Sequence, residues 1–246
     1  TINDDFSGTD INVQCGSTHL EPLKNLMAAT HANIGIAHDG DADRVMFVDE
    51  QGNEIDGDVV EAVCALDLKE RGLLEGNTVV STVMCNLGFT KAMEKAGIEV
   101  IQTQGGDRYV LQQLREGGFV LGGEQSGHMI FLKHNSTGDG LITACQFLSA
   151  CLRKGGTVSE VASVMQRFPQ ELINVKVTDK HAVTGNDAVA KAIEAGSEKL
   201  GDSGRILVRP SGTEPLVRVM VEAPTSEQAH EVAAEIAEVI EKELGL

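Results

Sequence analysis

The stretch "NTVVSTVMCNLGFTKAMEKAGIEVIQT", residues 77–103, sets the fold class. Its opening, "NTVVSTVM", reads as a strand, residues 87–96 as a helix, and "EVIQT" as a second strand. The alternation continues outward. Downstream come a helix at 109–116, a strand in "GFVLGGE" and a short strand "MIFL". Upstream, "EPLKNLMAATH" reads as a helix, "NIGIA" and "RVMFVDE" as strands joined to a hairpin-like turn at Gln51-Gly52-Asn53, and 58–71 as a helix ended by Gly72. Strands and helices in turn imply an α/β layered architecture with an at least partly parallel sheet.

The second half changes character. "DGLITACQFLSACLRKG" reads as a helix capped by Asp139 and stopped at Gly155, and "TVSEVASVMQRF" opens with Thr157 and Glu160 at capping-box spacing. Pro169 marks a boundary. Beyond it, strands "LINVKVT", "RILVRP" and "LVRVMVE" flank a helix at 186–200, and a last helix spans 226–244. Its Ala229, Val232, Ala233, Ile236 and Ile240 form one apolar stripe. The expected fold class is therefore α/β, with layered domains and mixed sheets, followed by a small α+β domain with its helices on one face.

Composition narrows the function. A net charge of -17 and the scarcity of aromatics, one Tyr and no Trp, argue against nucleic acid and anionic membranes as partners. No apolar run approaches the ~20 residues of a membrane span. The five cysteines are scattered and form no C-x-x-C, which fits a reduced cytoplasmic setting. Cys145 and Cys151 sit in a helical apolar pattern, where a buried, inert thiol is expected. The chain opens on Thr1 with no basic-then-apolar leader, and the missing Met reads as a piece of something longer.

Three loops can carry chemistry. Asp39-Gly40-Asp41-Ala42-Asp43-Arg44 follows an apolar strand. It is either a solvated acidic turn or three oxygen donors converging on a hard cation such as Mg²⁺, with Arg44 balancing charge or holding a phosphate. An EF-hand does not fit, because no Glu closes the loop and the flanks read as strands. The second loop, Gly122-Gly123-Glu124-Gln125-Ser126-Gly127-His128, alternates Glu124, Ser126 and His128. Were it extended, all three would share one side and could hold sugar hydroxyls; otherwise it is a polar turn. The third, Arg209-Pro210-Ser211-Gly212-Thr213-Glu214-Pro215 with Arg218 beyond, is either a turn between strands or an oxyanion cradle. Alternation in "LVRVMV" sets Arg218 opposite Val217, Val219 and Val221. Arg108, at a strand–helix junction, could meet an anion, with a cap by Asp107 as the simpler reading.

In this order "DGDADR", "GGEQSGH" and "RPSGTEPLVRV" resemble the α-D-phosphohexomutase superfamily. The Gln of "GEQSGH", with "CGSTH" at 15–19, "GDRYVL" at 106–111 and "STGDGLITA" at 136–144, is similar to its phosphoglucosamine mutase branch. The resemblance runs from Asn12 to the end. "THLEP" for the usual "THPE", and Gly105 for a more usual Val, are mild departures.

What the resemblance implies is specific. Segment 1–57 would be the end of a Mg²⁺-binding domain, 58–169 a sugar-binding domain and 170–246 a phosphate-binding domain. Asp39, Asp41 and Asp43 would hold Mg²⁺. Glu124 and Ser126, with His128, would grip the sugar, and Arg209, Ser211, Gly212, Thr213 and Arg218 would hold the non-reacting phosphate. Arg44 and Arg108 would serve the transferring phosphate or proton transfer. The implied reaction interconverts glucosamine 6-phosphate and glucosamine 1-phosphate through a phosphoserine and a sugar 1,6-bisphosphate, on the way to UDP-N-acetylglucosamine. The family's serine loop, resembling T/S-A-S-H-N-P, does not occur in this sequence, so the chain is expected to need an N-terminal domain and to be inactive alone. A mannose- or glucose-phosphate mutase and a non-catalytic phosphosugar-binding module are the alternatives. A dehalogenase-type phosphatase leaves the last loop unexplained.

Overall fold

The computed structural model describes residues 13, 14, 16–212 and 214–246. The chain divides between Gln166 and Arg167 into two compact units. The first contains α1 (Glu21–Thr30), β1 (Ile34–His38), β2 (Val45–Asp49), β3 (Glu54–Ile55), α2 (Gly57–Glu70), β4 (Thr78–Thr82), α3 (Leu87–Lys95), β5 (Glu99–Thr103), α4 (Asp107–Gly117), β6 (Leu121–Gly123), β7 (Met129–Phe131), α5 (Gly140–Lys154) and α6 (Val158–Ala162). The second contains β8 (Gln170–Lys176), α7 (Asp187–Leu200), β9 (Arg205–Pro210), β10 (Leu216–Glu222) and α8 (Ser226–Leu244).

In the stretch 77–103, β4 and β5 pair in parallel across α3, with Val80 opposite Ile101. β6 joins the other side of β4 in parallel, and β7 closes the edge antiparallel, giving the order β5-β4-β6-β7. Every residue of β4 is buried, so its sequence shows no polar alternation. Asn86 caps α3 by accepting from the Gly88 amide. A side chain at Gly88 would place Cβ 1.9 Å from the Gln166 carbonyl, so only glycine permits that approach. A separate antiparallel sheet, β1-β2-β3, precedes it, and the Phe47 and Phe147 rings meet at 4.6 Å in the core shared with α2 and α5.

Some expectations change. The capping box of Thr157 and Glu160 forms, but α6 stops after five residues. The Ser163 hydroxyl donates back to the Glu160 carbonyl at 2.7 Å, a local bond that competes with helix continuation. Cys145 is exposed rather than buried, because Ala144, Phe147 and Ala150 take the inward face of α5. Cys151 is half-buried, and burial pushes its thiol up to about 11. Cys64 and Cys85 are buried.

In the second unit β10 is central in an antiparallel sheet, β8-β10-β9. Val217, Val219 and Val221 are fully buried in one core with Ala229, Val232, Ala233, Ile236 and Ile240 of α8. The period-two pattern of the strand thus meets the helical stripe. Among the described residues no helix is long and apolar enough to cross a membrane.

Candidate active site

The acidic loop joins β1 to β2. The Ala42 amide donates to the Asp39 carbonyl at 3.2 Å, and Ala42 adopts φ 57°, a left-handed value that tightens the turn. The first residue of α5 secures it from outside: the Gly140 amide donates to the Ala42 carbonyl at 2.8 Å. A Cβ at Gly140 would lie 2.6 Å from His38 Nδ1 and 2.9 Å from the Arg44 carbonyl. Asp139 caps α5 by accepting from the Ile142 amide at 2.9 Å. The expected helix start in "TGDG" therefore also holds the acidic loop in place.

Asp39, Asp41 and Asp43 each offer one oxygen, and the three oxygens lie within 4.8 Å of one another. Asp39 is buried, Asp41 exposed and Asp43 half-buried. Arg44 grips Asp39 twice: its amide reaches Oδ1 at 3.1 Å and its Nε reaches Oδ2 at 2.6 Å. Burial alone would lift Asp39, but these contacts outweigh it and hold the carboxyl below the usual range. Asp43 moves the other way, raised by burial and by Asp39 beside it. Carboxylates crowded this closely are suited to a shared cation, and oxygen-only donors suit a hard one.

The second loop is a tight turn, not an extended segment. The Gly127 amide donates to the Glu124 carbonyl at 3.0 Å, and the Glu124 amide to the His128 carbonyl at 2.9 Å, closing the β6–β7 hairpin. Period-two reasoning therefore does not apply to it. Ser126 is exposed and Glu124 is half-buried, with its Oε1 accepting from the Gly106 amide at 2.9 Å. His128 is buried and turns to the acidic loop, its Nδ1 3.1 Å from Asp43 Oδ2. The backbones join too: Arg44 and His128 form an antiparallel bridge, and the Val45 amide donates to the Gly127 carbonyl at 3.1 Å.

Two glycines make this junction possible: the sequence reading passed over Gly57 and read Gly138 only as part of a helix entry. Gly57, at the start of α2, donates its amide to the Gln125 carbonyl at 3.0 Å, and a Cβ there would lie 2.0 Å from the Glu124 carbonyl. A Cβ at Gly138 would lie 2.3 Å from the His128 ring. Glycine next to a helix-capping aspartate, as in "DGD" and "GDG", was the available signal.

Arg108 lies on the first turn of α4, stacked over the Tyr109 ring at 4.4 Å and hydrogen-bonded to the Tyr109 hydroxyl. Asp107 does not cap the helix: it is the first helical residue, and the cap position is Gly106 at φ 122°.

In the second unit Arg209 and Arg218 stand directly opposite each other on β9 and β10. Burial, then the Arg218 charge, lowers the Arg209 guanidinium from its ordinary value. Arg218 Nη2 reaches Glu214 at 3.5 Å, while its buried Nε has no hydrogen-bond partner among the described residues. Ser211 is buried and its Oγ accepts from the Glu214 amide at 3.3 Å. Thr213 lies outside the described residues.

Residues 56–168 match the family model described as phosphoglucomutase/phosphomannomutase alpha/beta/alpha domain III, and residues 172–239 match that family's C-terminal domain. The chain is 52% identical over 245 residues to a phosphoglucosamine mutase of Bacillus licheniformis, covering 100% of this chain and 55% of that protein. It is 49% identical over 246 residues to one of Bacillus subtilis, again covering 100% and 55%. The chain thus spans about half the length of the curated relatives it matches. Among solved structures, Aspergillus fumigatus N-acetylphosphoglucosamine mutase in complex with GlcNAc-6P and magnesium superposes with a TM-score of 0.75 at 22% identity, covering 94% of this chain and 53% of that one. At that identity the likeness speaks for the fold.

Proposed function

The chain belongs to the phosphoglucomutase/phosphomannomutase family, and from that premise we propose that it supplies the metal, sugar and phosphate loops of a phosphoglucosamine mutase. The observation that carries this reading is the junction in the first unit. There a three-aspartate loop and the "GEQSGH" turn are joined through the Arg44–His128 bridge and the His128–Asp43 contact. Identities near 50% to phosphoglucosamine mutases favour amino-sugar phosphates over mannose or glucose phosphates as substrates.

In this reading segment 1–57 carries the metal loop, 58–169 the sugar loop and 170–246 the phosphate loop, divisions supported by the family matches at 56–168 and 172–239. Asp39, Asp41 and Asp43 would hold Mg²⁺, and the donor set fits: three carboxylate oxygens within 4.8 Å. When bound, the ion would neutralise charge on the phosphoryl oxygens. The chain's own residues set the rest. Arg44 fixes Asp39 and balances part of the acidic charge. His128 orients Asp43, and Glu124, Ser126 and His128 line the sugar side. Arg209, Ser211, Gly212, Thr213 and Arg218 bind the phosphate that does not react, and Arg108 meets the one that does.

Phosphoryl transfer also needs a group to carry the phosphate between the two sugar oxygens, and we assign that role to a serine outside these residues. The test is an assay of this chain for conversion of glucosamine 6-phosphate to glucosamine 1-phosphate, with Mg²⁺ and glucose 1,6-bisphosphate present, beside a full-length phosphoglucosamine mutase. Turnover is expected from the full-length enzyme only. Turnover by this chain would place a phosphate acceptor within it and overturn the assignment.

A further inference from the structure

The phosphate cradle of the second unit has a basic residue that none of its motifs contains. Lys180 begins a short 3₁₀ turn, Lys180–Val183, set by Asp179, whose side chain accepts from the His181 amide at 2.9 Å. From there its ammonium donates to the Ser211 carbonyl at 2.6 Å and to the Gly212 carbonyl at 3.2 Å. Both of these partners are neutral carbonyls, so neither offsets the positive charge that the lysine brings to the loop. Two charge-assisted bonds also offset the entropy of ordering a long side chain.

The consequence is geometric. A trans peptide directs its C=O and N–H to opposite edges, and no described peptide bond is cis. Holding the Ser211 carbonyl towards Lys180 therefore turns the Gly212 N–H away from it. Gly212 has open space on its side-chain side, since a Cβ built there meets nothing within 4 Å among the described residues beyond its chain neighbours. Packing thus leaves room at Gly212 for a ligand. Nearby, Arg209 and Arg218 stand opposite each other on adjacent strands, like charges that favour an anion; Glu214 reaches only Arg218 Nη2, at 3.5 Å, among the described contacts. Among the described residues the buried Arg218 Nε is a donor without an acceptor.

We propose that Lys180 is a positioning residue of the phosphate site: it clamps the Ser211 and Gly212 carbonyls so that the Gly212 N–H is preset for an oxyanion. The assignment rests on the phosphate-binding reading of the loop. It adds a third cation to Arg209 and Arg218 and makes the cradle rigid before the ligand arrives, which lowers the ordering cost of binding.

The test is calorimetric titration of this chain with glucosamine 6-phosphate. Lys180→Met should weaken binding by about tenfold, the scale of losing hydrogen bonds to a charged group. Its thermal midpoint should stay that of the parent, and Lys180→Arg should recover most of the affinity. Arg209→Ala separates the two levels of the argument. If it abolishes binding while Lys180→Met stays within twofold of the parent, the phosphate reading stands and the role of Lys180 falls. If Arg209→Ala binds as the parent does, the phosphate reading itself falls, and Lys180 with it. Equal weakening by Lys180→Met and Lys180→Arg would also overturn the role, because it would mark side-chain packing rather than donation. Should Lys180→Met fail to fold, the Gly212 amide resonance of the parent chain decides: it should shift on adding inorganic phosphate, and no shift would refute the preset N–H.

Discussion

Asp39 and Glu61 are carboxyl groups of the same unit, both withdrawn from solvent, and they have opposite fates. Asp39 sits at the end of β1 in a turn that brings Arg44 back onto it through two bonds, and its carboxyl is held below the usual range. Glu61 sits in mid-α2, fully buried, near the Ser81 hydroxyl and with Asp58 as its charged neighbour. Burial, then the Asp58 charge, lifts its carboxyl well above its ordinary value, so its surroundings favour the neutral acid. The comparison teaches that burial sets the stakes and the partner sets the sign. The acidic loop is charge organised for a cation, while Glu61 is charge the core suppresses.

Removing the partner should give the largest effect. Arg44→Ala removes the guanidinium but keeps the residue-44 amide on Oδ1, so the buried Asp39 loses its ion pair, and the first unit should be destabilised by about 3 kcal/mol, read by urea denaturation. A loss no larger than that of an exposed arginine would erase the contrast. Glu61→Met should do the opposite, adding about 2 kcal/mol at about pH 8. The sign follows from linkage. The folded pKa is raised above the ordinary 4.5, so the folded state binds more protons than the unfolded chain at pH values between the two. The parent therefore loses stability as pH rises above 4.5, and at about pH 4 the parent and variant should converge apart from packing. Equal stabilisation at both pH values would show that Glu61 is not held neutral.

Gly57→Ala comes next. Its Cβ would lie 2.0 Å from the Glu124 carbonyl, so the turn 124–127 must move, at a cost of about 1–3 kcal/mol, and glucosamine 6-phosphate binding should weaken with it. An undisturbed turn, seen in the amide spectrum, would count against the junction described above. The smallest effect on the metal-free chain is expected for Asp43→Asn, which relieves carboxylate crowding and should stabilise by on the order of 0.5 kcal/mol. The same change should weaken Mg²⁺ binding by about tenfold or more in a calorimetric titration. Stabilisation with unchanged Mg²⁺ affinity would leave Asp43 outside the metal site.

Much of this was legible locally. The strand–helix–strand stretch 77–103 forms the parallel pair β4–β5, and the valines of β10 and the stripe of α8 are buried together. Caps at Asp139 and Thr157 form because each needs only residues three positions away. Where a reading extended one local rule too far, it failed. Helical periodicity did not end α6 at Ala162, strand alternation did not describe the 124–128 turn, and an apolar pattern did not say which side of α5 would hold Cys145.

The sequence by itself determined the order of elements, the three loops and their residue types, because periodicity, caps and turn residues act over a few positions. Only the tertiary structure decided that His128 meets Asp43 across 85 residues, that Gly57, Gly138 and Gly140 allow that meeting, and that Lys180 reaches Ser211 across 31. Those contacts depend on how whole strands and helices pack, and no short-range pattern records which distant backbones will approach closely enough to exclude a single Cβ.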